Sequence, residues 1–408
     1  MQTVHYTRSN NLCVSCELCA AVCPVKCIDF HESRGMMLPL IREHKCLHCG
    51  KCFKVCPGKL DTASGLGNVK GIYIVRTKNA DILANAVSGG AVTELISGLL
   101  REYDCAFVIR GHTYDSMPET EFVSTHEELR ASQKSRYVIV SHRKCAEYML
   151  SHPEKRIILV GTSCFVHGIM NLTAMHGLNR KNYFIIGLFC DRTMTLNVIK
   201  YFRNHHAWMK ELYFRTKDVG GWPGGVRLIE MNGNIIDLPA SERMKVKDYF
   251  QPERCLYCLD KLNVFADISA GDNYTGRNSD SGGSSSIIIR TEEGLRVWRK
   301  LAEKFEVHES SCEEIHESQH IAQREDNCHF ARIKQKGTVS ISIRSKYRKR
   351  LHAISLGEQY GHNPQALERH LCRQKFIGKV KRLLRNIWHK CSQTGYNIAI
   401  QRVKLVQQ

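Results

Sequence analysis

Eight cysteines near the start of the chain form two copies of one spacing pattern. Each copy reads C-x2-C-x2-C-x3-C and is followed by proline. The cysteines are Cys13, Cys16, Cys19, Cys23, Cys46, Cys49, Cys52 and Cys56. A cubic 4Fe–4S cluster needs one thiolate at each of its irons, and this spacing supplies three thiolates from one turn and a fourth from farther away. The pattern predicts two 4Fe–4S clusters, which hold electrons one at a time.

The repeated spacing resembles that of bacterial two-cluster ferredoxins, in which the fourth cysteine of each run binds the other cluster. By this resemblance the first cluster takes the leading cysteines of the first run with Cys56, and the second takes those of the second run with Cys23. A pair of zinc sites is the alternative, although zinc sites do not require three closely spaced thiols. We expect Cys27 to be a small buried residue and His48 to face solvent, neither being a ligand.

Four more cysteines occupy positions at which α/β proteins bind ligands. Apolar runs with a strand pattern end at Cys164 and Cys190, and a C-x2-C pair, Cys255 and Cys258, follows a proline. Ligands lie beyond the carboxyl ends of strands in such sheets, so four thiolates here would hold a third 4Fe–4S cluster. The alternative treats the first two as buried strand-end thiols and the other two as an unrelated pair. The sequence leaves both open.

A turn of small residues precedes a predicted helix. The segment 69–81 has a strand pattern, and Ser88, Gly89 and Gly90 then precede AVTELISGLL, whose apolar residues repeat at helical spacing. Open backbone N–H groups at such a helix start bind phosphate groups. The alternative is an ordinary helix cap with glycines that permit close packing.

These motifs divide the chain into three predicted regions. Residues 1–66 form a ferredoxin-type domain, 67–330 alternates short β-runs with helical stretches, and 331–408 is a basic tail. The alternation predicts an α/β core with a partly parallel sheet. The expected fold class is therefore α+β, with a small ferredoxin-like two-cluster domain, an α/β domain and a basic helical tail. The segment 278–286 is predicted to be a flexible surface loop and 308–320 a polar connector.

The composition is that of a globular protein with many thiols. The chain has 408 residues, of which 43% are apolar and 24% charged, which indicates two or three domains. It has no apolar run near the ~20 residues that a membrane span requires, and no hydrophobic signal segment at its start. Nineteen cysteines indicate metal ligands in a reducing compartment rather than disulfides. We therefore expect a cytoplasmic protein.

The net charge of +19 is concentrated in the tail. Residues 331–408 contain 18 Lys and Arg against two Glu, which places +16 in this stretch. Within it, basic residues are interleaved with an apolar stripe at helical spacing. The stripe consists of Phe376, Val380, Leu383, Leu384 and Ile387, with Trp388 beside it. Such a helix is typical of an element that docks on a partner or on the inner face of the membrane. The alternative is a helix packed on the protein's own body, and nucleic acid ranks last.

Six phrases in the middle of the chain occur in the order of a known family. They are the turn at 88–90, KSRY at 134–137, GTSCF at 161–165, GLFC at 187–190, FRTK with GW within 214–222, and CLYCLD at 255–260 with ADISAGD at 266–272. Together with the ferredoxin segment they resemble the beta subunits of coenzyme F420-reducing hydrogenases and dehydrogenases. Relatives with a ferredoxin segment also occur in bacteria beside surface-polysaccharide genes, so we expect a bacterial member of this kind.

The resemblance implies a flavoprotein, with FAD in the α/β domain exchanging electrons with iron–sulfur clusters. By matched position, the flavin contacts would be Ser88, Gly89, Gly90, Lys134, Ser135, Tyr137, Gly161, Thr162, Asp267 and Asp272. The implied function is an oxidoreductase that passes electrons between the clusters, FAD and a deazaflavin, a nicotinamide or another small or protein carrier. No catalytic side chain is assigned, because the cofactors carry this chemistry.

A second function stays open, a non-catalytic electron-transfer subunit of a larger complex with a degenerate flavin pocket. Where the family has GTPCQ, this chain has GTSCF at 161–165, which removes a rigid proline and a polar amide. The glycine-rich segment 220–225 also departs from the family and would reshape a substrate loop. Both departures bear on which electron acceptor is used more than on whether flavin is bound. The altered turn at 161–165 favours the non-catalytic electron-transfer subunit.

Overall fold

Strands and helices alternate through the part of the chain that the computed structural model describes, residues 2–60, 65–277 and 280–382. The strands are β1 (Ile28–Ser33), β2 (Met36–Ile41), β3 (Gly71–Thr77), β4 (Cys105–Ile109), β5 (Thr120–Val123), β6 (Ile157–Thr162), β7 (Tyr183–Leu188), β8 (Met209–Thr216), β9 (Gly225–Glu230), β10 (Ile235–Leu238), β11 (Ile268–Asp272), β12 (Ser285–Ile289) and β13 (Phe305–Glu309). The helices are α1 (His5–Ser9), α2 (Leu18–Ala21), α3 (Lys51–Val55), α4 (Ala80–Asn85), α5 (Ala91–Leu99), α6 (His126–Arg130), α7 (Arg143–Ser151), α8 (Ser163–His176), α9 (Asn197–His205), α10 (Ala240–Met244), α11 (Glu292–Leu301), α12 (Cys312–Ser318), α13 (Glu325–Lys334) and α14 (Ile341–Gln359).

The central sheet contains eight strands in the order β13-β3-β12-β11-β7-β6-β4-β5. The strands β11, β7, β6 and β4 pair in parallel, and the outer strands pair antiparallel. Successive side chains of the strands point to opposite faces of the sheet and enter two separate buried cores. Ile158 and Phe184 pack against α5 and α11 on one face. Leu159 and Ile185 pack against α7 and α8 on the other face. Helices on both faces explain why these strands are continuous apolar runs. The mixed α/β fold that the sequence predicts is confirmed.

Two smaller sheets position the outer parts of the molecule. The hairpin of β1 and β2 lies between the two cysteine runs and pairs Ile28 with Ile41 at its open end. The strands β8, β9 and β10 form an antiparallel sheet. Its strand β8 brings Arg215 to Asp272, at the carboxyl end of β11. This sheet therefore contributes a charged side chain to the edge where ligands of α/β proteins lie.

The ferredoxin-like segment packs directly on the α/β body. Leu18 of α2 and Val55 of α3 belong to the same buried apolar cluster as β6, α7 and α8. The helix α8 presents Gly168 at this contact, where a β-carbon would lie 2.2 Å from Leu18 Cδ1. The backbone N–H of His142 donates to the carbonyl of Cys16 at 2.9 Å. The first cysteine run is thus anchored to the body by apolar packing and by a backbone hydrogen bond.

The chain divides into two compact units, Met1–Glu358 and Gln359–Gln408. The domain boundaries expected after residues 66 and 330 stay predictions. Within the first unit, Phe330 of α13 and Tyr347 of α14 pack in one buried cluster with Tyr257. The basic stretch that begins at residue 331 therefore starts inside the first unit.

The second unit contains a helix over 364–382. Its residues Phe376 and Val380 are 68% and 36% exposed. The remainder of the predicted apolar stripe lies outside the described residues, namely Leu383, Leu384, Ile387 and Trp388. Among the described helices, none combines the length and the apolar character that crossing a bilayer requires.

The predicted surface loop at 278–286 is wrong in part, and the predicted polar connector at 308–320 contains regular structure. The segment 308–320 contains the end of β13 and the helix α12, which begins with a capping box of Ser311 and Glu314. In 278–286, of which residues 278 and 279 lie outside the described part, Ser284 and Ser285 are buried. The Ser285 hydroxyl accepts from the N–H of Gly89, and the Ser284 hydroxyl accepts from the Asn273 amide, so both polar side chains are satisfied inside the protein.

Gly168 has no room for a larger side chain beside Leu18. An alanine at 168 should therefore destabilise the protein, and shortening Leu18 should relieve part of the effect. Gly168→Ala should lower the midpoint of thermal unfolding, because its methyl group enters the space of a buried leucine, and overpacking of this kind costs about 1–3 kcal/mol. Adding Leu18→Ala should cost less in this background than in the wild type. Anaerobic thermal unfolding of the four proteins measures the coupling, and additive shifts would contradict the contact.

Candidate functional site

The two cysteine runs share one backbone geometry. Ser15 and His48, each two residues after the first cysteine of its run, have φ angles of 58° and 46°. Glu17 and Gly50 follow with φ angles of 61° and 72°. The N–H groups of Ser15 and His48 donate to the sulfur of that first cysteine at 3.3 and 3.4 Å. Such bonds favour the thiolate form, which is the form that binds metal.

The structure gathers Cys13, Cys16, Cys19 and Cys56 into an inner thiol group. Burial, followed by the thiol of Cys56, raises the pKa of Cys13 to about 12. The same two causes raise the pKa of Cys16 well above its ordinary value. Burial, then Cys16 and Cys56, does the same for the pKa of Cys19. Buried thiolates that repel one another require positive charge among them, so this group suits a metal cluster.

An outer thiol group consists of Cys23, Cys46, Cys49 and Cys52, which line a cavity of about 20 Å³. Burial is the largest cause that raises the pKa of Cys52, with smaller contributions from Cys49 and Cys46. Cys27 is 2% exposed, as expected, but its sulfur lies only 3.5 Å from that of Cys23. The grouping places the fourth cysteine of each run with the other run's first three.

A sheet thiol group joins Cys164 at the start of α8, Cys190 after β7, and the pair Cys255 and Cys258. Burial, followed by the other three thiols, raises the pKa of Cys190 well above its ordinary value. Burial is also the largest cause that raises the pKa of Cys255 to about 12, with Cys258 and Cys164 contributing. The four thiols are therefore neighbours, which disagrees with the alternative of an unrelated pair.

The three thiol groups lie in a row. Cys19 of the inner group and Cys52 of the outer group are close enough for Cys52 to raise the pKa of Cys19, after burial and the inner thiols. Cys164 of the sheet group contributes in the same way to the raised pKa of Cys16, again after burial and the inner thiols. The inner group therefore adjoins both of the others.

The spacing of the sulfurs distinguishes zinc from iron–sulfur clusters. Across the described residues, one set of three potential metal-ligand side chains has its ligand atoms within 4.8 Å of one another, and it is Glu43, Cys46 and His48. Sulfurs bound to one zinc ion lie about 3.8 Å apart, since each Zn–S bond is about 2.3 Å. Among the described residues, no three thiols of one group meet that spacing, whereas a 4Fe–4S cube holds its thiolates at separate corners.

The turn at 88–90 is held by hydrogen bonds on several sides. Ser88 Oγ donates to the carbonyl of Ser284 at 2.5 Å, and the N–H of Gly89 donates to Ser285 Oγ at 3.1 Å. Lys217 Nζ donates to the carbonyl of Ser88 at 3.2 Å and also to the carbonyls of Leu83 and Gly282. Burial lowers the pKa of Lys217 to about 8, with Arg76 as the next cause. A β-carbon on Gly89 would lie 2.4 Å from a carbonyl oxygen of β3, so this position requires glycine.

A buried ion pair of Arg215 and Asp272 adjoins this turn, and the Arg215 side chain is only 3% exposed. Arg215 Nη2 donates to Asp272 Oδ1 at 3.0 Å, and Nη1 lies 3.3 Å from the hydroxyl of Tyr137. Tyr274 donates to Asp272 Oδ2 at 3.2 Å. Burial alone would raise the pKa of Asp272, but the positive charge and the hydrogen bonds of Arg215 hold it below its ordinary value.

The remaining residues of the expected flavin set lie in three places. Lys134 points to Thr216, with Nζ 3.2 Å from its hydroxyl, and Ser135 follows it in the chain. Gly161 and Thr162 end β6 beside the sheet thiol group, where the Thr162 hydroxyl lies 3.3 Å from the Cys164 sulfur. Only part of the expected set therefore surrounds the Arg215–Asp272 pair.

Asp267 lies at the other end of β11, roughly 17 Å from Asp272 at about 3.4 Å per strand residue. Its Oδ2 accepts from Arg180 at 2.9 Å and from the N–H of Ile185 at 2.8 Å, and its Oδ1 accepts from Thr291 at 2.7 Å. Both oxygens are occupied in holding the sheet. The expected flavin contact of Asp267 stays a prediction, and these bonds favour a structural role for this residue.

Several functional residues were not assigned from the sequence. Arg215, Lys217 and Trp222 belong to quoted phrases but received no role, because their partners lie far away in the chain. Arg136 is buried and donates to the carbonyls of Gly111, Gln133 and Lys134 at 2.8 Å, which shapes the loop that carries Tyr137. Its position within the KSRY phrase, as a second basic residue beside Tyr137, was the only sequence feature that could have indicated this role.

The residues around the ion pair include a buried hydrogen-bond donor without a partner among the described residues. The indole Nε1 of Trp222 is buried and close enough to Asp272 to lower its pKa, yet it makes no well-formed hydrogen bond among the described residues. The ring of Trp222 lies 5.6 Å from that of Tyr274. An unsatisfied donor beside an aromatic pair and a buried ion pair suits a flat ring system with hydrogen-bonding edges.

Family models match most of the first unit. The model for the C terminus of the coenzyme F420 hydrogenase/dehydrogenase beta subunit matches residues 154–315, and the model for the N-terminal part of the same protein matches 72–145. A model described as 4Fe-4S dicluster domain matches 12–59. The last match covers the two cysteine runs and supports their assignment to iron–sulfur clusters.

Individual relatives span most of this chain. It is 25% identical over 330 residues to an uncharacterized protein of Methanocaldococcus jannaschii, covering 71% of this chain and 86% of that protein. It is 24% identical over 327 residues to a subunit of the F(420)H(2) dehydrogenase of Methanosarcina mazei, covering 74% and 85%. A solved structure of the F420-reducing NiFe hydrogenase complex from Methanosarcina barkeri matches with a TM-score of 0.49 at 20% identity, over 68% of this chain and 93% of that one.

The matched regions coincide with the grouped thiols. The dicluster match contains every cysteine of the inner and outer thiol groups, and the two beta-subunit models together contain the sheet thiol group and the turn at 88–90. The expectation of a bacterial, polysaccharide-linked member stays a prediction. The chain is an iron–sulfur protein that belongs to the family of coenzyme F420 hydrogenase/dehydrogenase beta subunits.

Proposed function

We propose that this chain is an electron-transfer subunit of an oxidoreductase that connects a one-electron carrier to FAD through three 4Fe–4S clusters. The observation that carries the proposal is the row of outer, inner and sheet thiol groups, which ends beside the Arg215–Asp272 pair. Electron transfer between centres needs close approach and no moving parts. The proximity of Cys52 to Cys19 and of Cys16 to Cys164 supplies that approach.

The sheet thiol group adjoins the proposed flavin site through backbone contacts. The N–H of Met194 donates to the carbonyl of Tyr137 at 2.7 Å, four residues after Cys190. On the other side, the N–H of Phe189 donates to the carbonyl of Ala270 at 2.8 Å, two residues before Asp272. The segment that follows β7 thus connects a thiol of the sheet group with residues on either side of the ion pair.

The flavin proposal assigns a task to each nearby side chain. Bound FAD would exchange single electrons with the clusters and a hydride with a two-electron carrier. Ser88, Gly89 and Gly90 shape the turn that receives its phosphates, and Lys217 fixes that turn. Arg215 and Tyr137 present donors beside Asp272. Burial of this pair excludes water, which strengthens polar contacts to a ligand.

The two-electron carrier proposed for this site is a deazaflavin of the F420 type. The names of the matching family models and of the Methanosarcina mazei relative support it. A nicotinamide is the alternative carrier. The partner subunits are proposed on the same ground, since the relative from Methanosarcina mazei is named as part of a larger dehydrogenase.

The second candidate, a subunit without bound flavin, is favoured by the turn at 161–165. Phe165 is fully buried, and a β-carbon on Gly161 would lie 2.1 Å from its ring. The ring of His142 stacks on Phe165 at 4.0 Å. The residue that replaces the family's glutamine therefore belongs to the core and offers no polar group to a ligand.

Contact with an anionic membrane is a further proposal for the second unit. The helix over 364–382 exposes Phe376 and Val380 and carries Lys375 and Lys379 beside them. Apolar and basic residues together are typical of helices that lie on anionic surfaces.

Removing one thiol of the sheet group tests the third cluster. Cys190→Ser should lower iron and acid-labile sulfide by about a third, because one of three clusters loses a ligand. Reduced ferredoxin-type clusters should then transfer electrons to flavin at least about tenfold more slowly. The matched control is Cys312→Ser, a cysteine outside the three thiol groups. Iron and sulfide analysis with stopped-flow absorption measures both effects, and an unchanged iron content in the Cys190 variant would refute the cluster.

Matched aspartate substitutions test the flavin site. Asp272→Asn should lower the flavin retained per folded chain at least about fivefold, because it leaves Arg215 buried without its counter-ion. Asp267→Asn is the control, since it removes a buried, Arg-paired carboxylate at the other end of the same strand. Absorption spectra after anaerobic purification give the flavin-to-protein ratio. Equal flavin loss in both variants would remove the assignment, and absence of flavin from the wild type would favour the second candidate.

A further inference from the structure

The two cysteine runs share their backbone but differ in what covers them. Val14 and Leu18 of the first run are 8% and 0% exposed, because they pack on the α/β body. The equivalent positions of the second run are Leu47, which is 62% exposed, and Lys51, which is also exposed. The first run is therefore covered by the α/β body of this chain, whereas the second run is exposed and accessible to a partner.

The open run is surrounded by unneutralised positive charge. Lys26, Lys45 and Lys51 are exposed, and among the described residues none of them forms an ion pair with a carboxylate. The acidic residues of the hairpin are already engaged, since Asp29 pairs with Arg42 and Glu32 pairs with Lys200. The one remaining acid of this stretch, Glu43, is 66% exposed beside the imidazole of His48 and offsets only one of the three lysine charges. The local field at this surface therefore favours an anion.

The outer thiol group lies directly beneath this surface. The cavity that its thiols line also touches Val25 and Leu47, which are 37% and 62% exposed. Its volume of about 20 Å³ is far below the several hundred Å³ that small-molecule sites occupy. An apolar pair with lysines around it instead resembles the centre and rim of a protein–protein contact.

We propose that the docking face, defined as Val25, Lys26, Lys45, Leu47 and Lys51, binds an acidic one-electron carrier protein. The proposal rests on the function proposed above and names the partner at its outer end. A reduced carrier gives one electron to the cluster held by the outer thiol group and leaves oxidised by one electron, and no bond or proton moves. Electrostatic attraction brings the carrier to the lysines, and Val25 and Leu47 form the contact from which water is excluded.

Two inorganic oxidants of opposite charge test the sign of the field at this face. The full chain with its clusters is reduced with dithionite, and reoxidation by ferricyanide or by hexaamminecobalt(III) is followed by stopped-flow absorption at low salt. Lys45→Glu/Lys51→Glu should slow ferricyanide about tenfold and accelerate the cobalt complex. Both differences should shrink at high salt, because screening acts over about 10 Å at 0.1 M.

The control separates a local effect from a change of net charge. Lys181→Glu/Lys210→Glu alters the net charge equally at exposed positions outside the docking face, and should leave both rates within about twofold. Iron and sulfide contents confirm that both variants carry their clusters, and Lys45→Gln/Lys51→Gln should give an intermediate effect. Equal rates in the two Glu variants would overturn the proposal.

Binding of a carrier protein is measured independently of electron flow. Titration with a recombinant acidic two-cluster ferredoxin should show a salt-sensitive complex that the Lys45→Glu/Lys51→Glu variant weakens at least about tenfold. No complex, or equal weakening by the control variant, would contradict the proposal. These readouts do not involve flavin, so a failure of electrons to reach flavin would count against the proposed function and leave the docking face standing.

Discussion

The structure depends on the neutralisation of negative charge where several buried thiolates lie close together. Thiols in the inner and sheet groups are buried, and each raises the pKa of its neighbours, so several thiolates cannot coexist there without positive charge between them. Iron of the dicluster segment supplies that charge for the inner group, and the proposed third cluster would supply it for the sheet group. Backbone N–H groups such as those of Ser15 and His48 add partial positive charge at the sulfur atoms. The clusters and the fold therefore depend on one another, because ligands from distant segments meet only in the folded chain.

The α/β body serves this condition by holding the ferredoxin-like segment in one position. Leu18 and Gly168 interlock, and the carbonyl of Cys16 is bonded by the N–H of His142. Because α8 carries both Gly168 and Cys164, the helix that anchors the first run also carries a thiol of the sheet thiol group. A rigid link between neighbouring centres keeps their separation constant. Electron transfer depends on this separation and requires no mobile element.

Sequence reasoning was strongest where the chemistry is local. The two cysteine runs could be predicted because spacing alone defines the turn that holds three thiols, and the family resemblance located the turn at 88–90. It was weaker where distant residues meet. Asp267 and Asp272 belong to one phrase, yet a strand separates them, and the pairing of Arg215 with Asp272 spans 57 residues. Ser284 and Ser285 suggested a loop because their buried partners were unknown.

The most direct test of three clusters in one chain is metal analysis of protein purified without oxygen. We expect about 12 iron and 12 acid-labile sulfide per chain, since each of three 4Fe–4S clusters contributes four of each, and no stoichiometric zinc. Iron and sulfide near 8 would show that the sheet thiol group holds no cluster. Zinc in place of iron would contradict all three clusters.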